Sequence, residues 1–345
     1  MHSIKNGQIF GKRAFLSLLL LLFTAAFCGK SLYASGKKDA ARPGLSAGSV
    51  ERSGDGEASL YWRLAEENGG VFVIDGAGNK VPLSVYSRIV VISPGAVETM
   101  YMTGGEAAIA GLTSGRDPIW PEEKTALLPD VGNTARPNIE AIIALKPDLV
   151  IGNAMTAALM ADLASRGYTV LLHNADSIAD VFNSAIILGQ FTGREAEARL
   201  LVAEKQAELD RIKVELRANP LNLKGAFLYS ASPIMAFTAE SLPGEILGTL
   251  GAENIAAGLN AAQPILSPEY ILAQNPDFLF GAMSITKPGD ILAADSVIAK
   301  TRAGKEGNIR IIPSSLFLRP SPRIVENLLE MYRELRNMQE REDGK

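Results

Sequence analysis

The 345-residue chain contains one cysteine and two histidines, and these scarcities remove much of the chemistry that a chain of this length would otherwise admit. A single thiol excludes an intramolecular disulfide and a cysteine-based metal cluster. One histidine, His2, lies in an N-terminal stretch that reads as an export signal, so only His173 is expected in the mature chain. A site for a bare zinc or manganese ion commonly draws on several imidazoles, which disfavours a receptor for free metal ions. A Ser-His-Asp triad would have to use His173, and the one GxSxG match, GLSAG at Gly44–Gly48, falls in a Gly-, Ser- and Ala-rich stretch instead of between a strand and a helix, so it does not read as a nucleophile elbow. Neither GxxxxGKS nor GxGxxG occurs, so nucleotide binding lacks its phosphate cradle. Basic charge is also short. Removing residues 1–27 takes away Lys5, Lys12 and Arg13 and no acid, which leaves 31 Lys plus Arg against 38 Asp plus Glu and a net charge of −7. A surface that acidic argues against nucleic acid as a partner.

Long apolar runs are equally scarce. The one from Ala14 to Phe27 follows the three basic residues and is too short for a secure membrane span, so residues 1–27 read as a signal peptide. Cys28 directly follows it. The thiol either becomes a lipidated N-terminus that tethers the protein or leaves with a signal cleaved after Ala34; Phe27 is bulkier than lipoprotein signals prefer at that point. Residues 29–58, rich in Gly, Ser, Ala and Lys, cannot bury enough apolar surface to fold and read as a flexible linker.

What the chain does contain is a repeated word. Glu98, Gly104, Glu106, Gly111 and Leu112 return 147 positions on as Glu245, Gly251, Glu253, Gly258 and Leu259. A second word, IEAIIALKPDLVIGNAM with Glu140, Pro147 and Asp148, returns 129 positions on as PEYILAQNPDFLFGAM with Glu269, Pro276 and Asp277. Two ordered words repeated together imply two lobes of one plan with a cleft between them.

Strand and helix patterns alternate within each copy. Ile89–Ile92, AAIAGL, LVIG and TVLL read as strands of an N-terminal lobe over 71–176, which opens with VFVID. Ser93 and Pro94 start a helix, with Ser93 as its cap. A C-terminal lobe over 218–338 repeats the order with AFLYS, a helix from Pro243, NIAAGL, a helix from Pro268, FLFG and IRIIP, and closes with a helix over Pro322–Met338. Residues 177–217 connect the lobes. Their last stretch, Arg194–Leu216, carries Ala196, Leu200, Ala203, Ala207 and Val214 as an apolar face and predicts a strut about 35 Å long. The fold class is α/β, with two Rossmann-like lobes on mostly parallel sheets.

RIVVISPGAVET (Arg88–Thr99), LPDVGNTARPNIEAIIALKPDLVI (Leu128–Ile151), PGE (Pro243–Glu245) and LRPSPR (Leu318–Arg323) resemble a periplasmic-binding-protein family, the solute-binding partners of ABC importers for ferric siderophores, haem and cobalamin. The resemblance runs from about Val71 to Met338. It implies the class III arrangement of two lobes joined by one long helix, a non-enzymatic exported protein, and a partner permease dimer with its ATPase. It implies a monomer and no cofactor, the ligand being an iron or cobalt chelate. In that family a glutamate on the exposed tip of each lobe docks on permease arginines, and the resemblance assigns those roles to Glu98 and Glu245. Glutamates at helix starts are also favoured by the macrodipole alone.

Ligands of open α/β sheets bind beyond the carboxyl ends of the strands. Loops there supply Arg116, Trp120, Asn133, Arg136, Asn153, Ser232, Phe237 and Arg319 as cleft candidates, with Met283 after FLFGA. Arginines and aromatics suit a planar or anionic chelate through ion pairs and stacking. Each has a plainer reading: Trp120 as a wedge for its loop, Arg136 and Arg319 as salt-bridge partners within a lobe, Phe237 and Met283 as core. The Arg116–Trp120 loop lacks a tyrosine or histidine for haem iron, though Tyr86, Tyr101 and Tyr229 remain available. That order places ferric siderophore before cobalamin, and both before haem. An exported sensor or adhesion module of the same fold, and an exported enzyme using the cleft, are the alternatives.

Overall fold

β-branched runs bounded by turn residues become the inner strands in the computed structural model, which describes residues 61–259 and 264–343. The signal stretch, Cys28 and the linker lie outside the described residues. Folding begins earlier than VFVID. A three-stranded antiparallel sheet of β1 (Arg63–Glu67), β2 (Gly70–Ile74) and β3 (Lys80–Pro82) precedes the lobe, and Trp62 is buried with its indole N–H donating to the Leu172 carbonyl at 2.7 Å. RLAEE shows no burial pattern in sequence because four of its five side chains stay exposed.

The N-lobe sheet contains β4 (Ile89–Val91), β5 (Ile109–Ser114), β6 (Asp130–Asn133), β7 (Arg136–Pro137), β8 (Leu149–Gly152) and β9 (Val170–Leu172) in the order β7-β6-β5-β4-β8-β9. Its pairs are parallel except the short β6–β7 hairpin. Both faces are covered: Ile89, Val91, Leu149 and Ile151 enter one core cluster, while Val90, Ile92 and Val150 enter another. Continuous apolar strands are the signature of that double cover. The helices α1 (Pro94–Met102), α2 (Glu122–Thr125), α3 (Ile139–Ala144) and α4 (Ala157–Ser165) connect the strands.

Two helices join the lobes. In α5 (Ile178–Phe191), Ile178, Val181 and Phe182 pack in the C-lobe core, whereas Ile187, Leu188 and Phe191 pack in the N-lobe core. In α6 (Glu195–Ala218), 24 residues long, Ala198 lies against Gly189 of α5, where an added Cβ would stand 2.4 Å from the Ala198 Cβ. At its other end Leu209, Ile212 and Leu216 enter the C-lobe core. The helix expected here is present, but its buried face is not the one expected. Ala196, Leu200, Ala203, Ala207 and Val214 are all exposed, and the buried row runs through Ala198, Leu209, Ile212 and Leu216.

The C-lobe sheet contains β10 (Lys224–Ala231), β11 (Ile234–Ala236), β12 (Glu253–Asn254), β13 (Phe278–Gly281) and β14 (Ile309–Ile311), ordered β11-β10-β13-β14 with β12 also on β10. Phe227, Phe278 and Phe280 face one core and Ala226, Leu228 and Leu279 the other. The helices are α7 (Leu242–Thr249), α8 (Pro268–Gln274), α9 (Pro288–Ala294), α10 (Arg302–Lys305), α11 (Ser314–Phe317) and α12 (Ile324–Asp343). NIAAGL departs from its N-lobe counterpart: only Glu253 and Asn254 pair, and turn follows, because the Asn254 side chain accepts from Ala256 N and donates to the Phe237 carbonyl.

Candidate functional site

The parallel strands of each lobe aim their carboxyl ends at loops, and in the N-lobe the loops after β5 and β6 share one rim. Thr134 N donates to the Ser114 carbonyl at 2.9 Å, and the Thr134 hydroxyl would lie 3.5 Å from a Cβ on Gly115. That rim carries Arg116, Trp120, Asn133 and Arg136, all exposed. Arg116 makes one loose pair, 3.7 Å to its neighbour Asp117. Among the described residues the Arg136 guanidinium has no ion pair or hydrogen bond. Trp120 is 40% exposed, and the Arg323 guanidinium stacks 5.0 Å from its ring centre. The Asn133 side chain accepts from Ala135 N at 2.9 Å, which closes the turn into β7.

Other candidates are distributed differently. Asn153 is half-buried and caps the turn after β8, accepting from Met155 N at 3.0 Å. Ser232 is exposed in the β10–β11 turn. Phe237 is half-buried against the C-lobe core, with ring centres 4.9 Å from Tyr229 and 6.1 Å from Phe227. Met283 is exposed at the end of β13 in a left-handed backbone conformation, φ 56°. Tyr229, at the end of β10, has a buried hydroxyl with no partner among the described residues, and burial pushes it up to about 12, so the phenol stays a proton donor.

Arg319 is not a cleft cation. It is buried, and its guanidinium donates to the Glu98 carboxylate at 2.9 Å and to the carbonyls of Pro118 and Asp117 at 2.6 Å each. Neither is Glu98 on an exposed tip. It is 0% exposed, takes a second hydrogen bond from the Ser321 hydroxyl at 2.8 Å, and lies 3.6 Å from Arg323. The helix start that carries it is covered by Pro320, which approaches so closely that a Cβ on Gly95 would stand 2.8 Å away. Glu245 is half-buried and accepts from Ile178 N, the first residue of α5, at 2.7 Å. The expected exposed position of Glu98 is therefore corrected, and Glu245, half-buried, spends a carboxylate oxygen on a chain segment that crosses between lobes. Ser321 and Arg323 escaped the sequence reading, although LRPSPR holds two arginines and a serine within five residues and a buried carboxylate needs such donors.

His173 is enclosed. Its Nδ1 pairs with the Ser93 hydroxyl at 2.9 Å and its Nε2 with the Ser184 hydroxyl at 3.2 Å, all three buried. Burial pushes it down to about 4, so the ring is neutral at physiological pH. Ser93 sits at the cap position of α1 without capping it, because its hydroxyl is spent on His173. A serine–histidine pair this enclosed offers no nucleophile to a substrate.

The model of the periplasmic binding protein family matches residues 89–316. Among curated proteins, the cobalamin-binding protein of Halobacterium salinarum is 28% identical over 254 residues, 71% of this chain and 68% of its own length. The Fe(3+) dicitrate-binding periplasmic protein of Escherichia coli is 31% identical over 169 residues, 48% of this chain and 55% of its own. Among solved structures, the apo periplasmic haem-binding protein of Roseiflexus aligns with a TM-score of 0.64 at 23% identity over 74% of this chain and 99% of that one. The periplasmic vitamin B12-binding protein of Vibrio cholerae aligns with a TM-score of 0.60 at 20% identity over 74% and 98%.

Proposed function

The chain belongs to the periplasmic binding protein family, with the class III fold, and on that premise we propose that it captures a metal chelate between its lobes and delivers it to an ABC permease and its ATPase. One observation supports the chelate's chemistry. Arg116 and Arg136 stand exposed on the same rim, one loosely paired and the other without an anion among the described residues, in a chain whose formal net charge is −4. Carboxylate, catecholate or hydroxamate oxygens of a ferric chelate supply the missing charge, and the exposed edge of Trp120 supplies stacking. Cobalamin is the second reading, favoured by the 28%-identical relative of that name.

Docking passes to the second repeated word. Glu140 and Glu269 occupy matched positions 129 residues apart, both exposed and both in the first turn of a helix with a side-chain cap. The Asn138 side chain accepts from Ala141 N at 3.0 Å and the Ser267 hydroxyl from Tyr270 N at 3.1 Å. These are the outward, paired carboxylates that a two-lobed carrier needs.

The test is direct. Protein purified from its native host, examined by absorbance and elemental analysis, should carry iron in a chelate, or cobalt in a corrin on the second reading. If it carries neither, and titration with ferric siderophores and cobalamin leaves tryptophan fluorescence unchanged, the reading fails.

A further inference from the structure

The repeated glutamates that turn inward do the same thing in opposite directions. Glu98, on α1 of the N-lobe, holds Arg319 and Ser321 in the stretch that carries the chain out of the C-lobe sheet toward α12. Glu245, on α7 of the C-lobe, holds Ile178 N in the stretch that carries the chain out of the N-lobe sheet. One position of the repeat thus reaches, in each lobe, for a chain segment leaving the sheet of the other.

We propose that Glu98 and Glu245 are a matched pair of interlobe pins, and that Glu98 acts through Arg319 as the positioning residue for the cleft loop at 115–121. Arg319 is the link. Besides Glu98 it binds the carbonyls of Asp117 and Pro118, the two residues between Arg116 and Ile119. Two further contacts tie the same loop to the C-lobe side, Ser314 N donating to the Asp117 carboxylate at 3.1 Å and Arg323 stacking on Trp120, while Arg323 also lies 3.6 Å from Glu98 on α1. A buried guanidinium committed to one carboxylate and two carbonyls has no solvent route to an alternative arrangement. The N-lobe loop bearing Arg116 and Trp120 is therefore held by the C-lobe segment, and its placement follows the lobe separation. At the other crossing, Glu245 meets a free N–H at a helix start, where a carboxylate is favoured by the macrodipole.

The consequence for ligand rests on the cleft reading, but the pins are tested without ligand, so loss of chelate binding leaves this proposal standing. Amide hydrogen exchange of the full chain reads it. Glu98→Gln should raise exchange about tenfold or more over 115–121 and 319–323 while β8 stays protected, and Glu245→Gln should do so at 177–181. The double variant Glu98→Gln with Arg319→Gln removes the unpaired buried charge and should recover the thermal midpoint lost in the single variant Glu98→Gln. Its loop should stay loose, because glutamine cannot reach both carbonyls. Recovery of loop protection together with the midpoint would mean that the pair only neutralises itself, and would overturn the positioning role. Should the charge variants not fold, Ser321→Ala keeps every charge paired: exchange at 319–323 should rise about threefold, and no change there overturns the pin.

Discussion

At the scale of single residues, burial decides what each polar group is for. His173 is the only histidine among the described residues, and enclosure holds it neutral with its pKa near 4. The sign of its effect on stability follows. The unfolded chain takes up a proton as pH falls below about 6.5, whereas the folded chain does so only near 4. Its contribution is complete above the unfolded value and is lost as pH falls through that window, on the order of 3 kcal/mol in all. Urea unfolding of the wild type and of His173→Gln at intervals from pH 7.5 to 4 checks this. The variant's stability should fall less steeply between pH 6.5 and 4, and parallel profiles would place the missing proton elsewhere. Glu98 shows burial at work on a different group, since its side chain has no exposed surface and its two oxygens are met by Arg319 and Ser321.

At the scale of elements, most boundaries were legible and the faces were not always. The strands of the N-lobe announce themselves because both sides are buried, so Ile89–Val91 and Leu149–Gly152 are uninterrupted apolar runs. The strut α6 holds two rows that compete. Leu200, Ala207 and Val214 make one look apolar, while the row that packs is interrupted by Lys205. Lys205 belongs there because its stem lies along the seam and its ammonium pairs with Glu208 at 2.9 Å and with Glu326 of α12 at 2.7 Å. Leu209→Ala should therefore cost about 2–5 kcal/mol, the range for buried leucines, whereas Leu200→Ala should stay within about 0.5 kcal/mol. Denaturant midpoints of the two variants decide which row is the buried one.

At the scale of the whole molecule, the repeat shows two lobes but not which repeated residue meets the other lobe. Glu98 and Glu140 look alike in sequence, each near a helix start and each with a partner in the second half. Only the return of the chain through Pro320, which settles on Gly95, covers the first and leaves the second exposed. The rim arginines were legible because loops at strand ends carry them, whereas Arg319 was misread because a buried carboxylate 221 residues away in sequence claims it. That difference separates two functions experimentally. On the proposed carrier function, exposed carboxylates that dock on the permease should be dispensable for capture and necessary for delivery, so Glu140→Ala with Glu269→Ala should leave chelate affinity and the thermal midpoint unchanged. Uptake by cells carrying the cognate permease and ATPase should fall about tenfold or more, since the variant loses a charge pair at each end of the complex. Unchanged uptake with both alanines would remove these residues from docking; reduced affinity for chelate in the isolated protein would instead place them at the cleft.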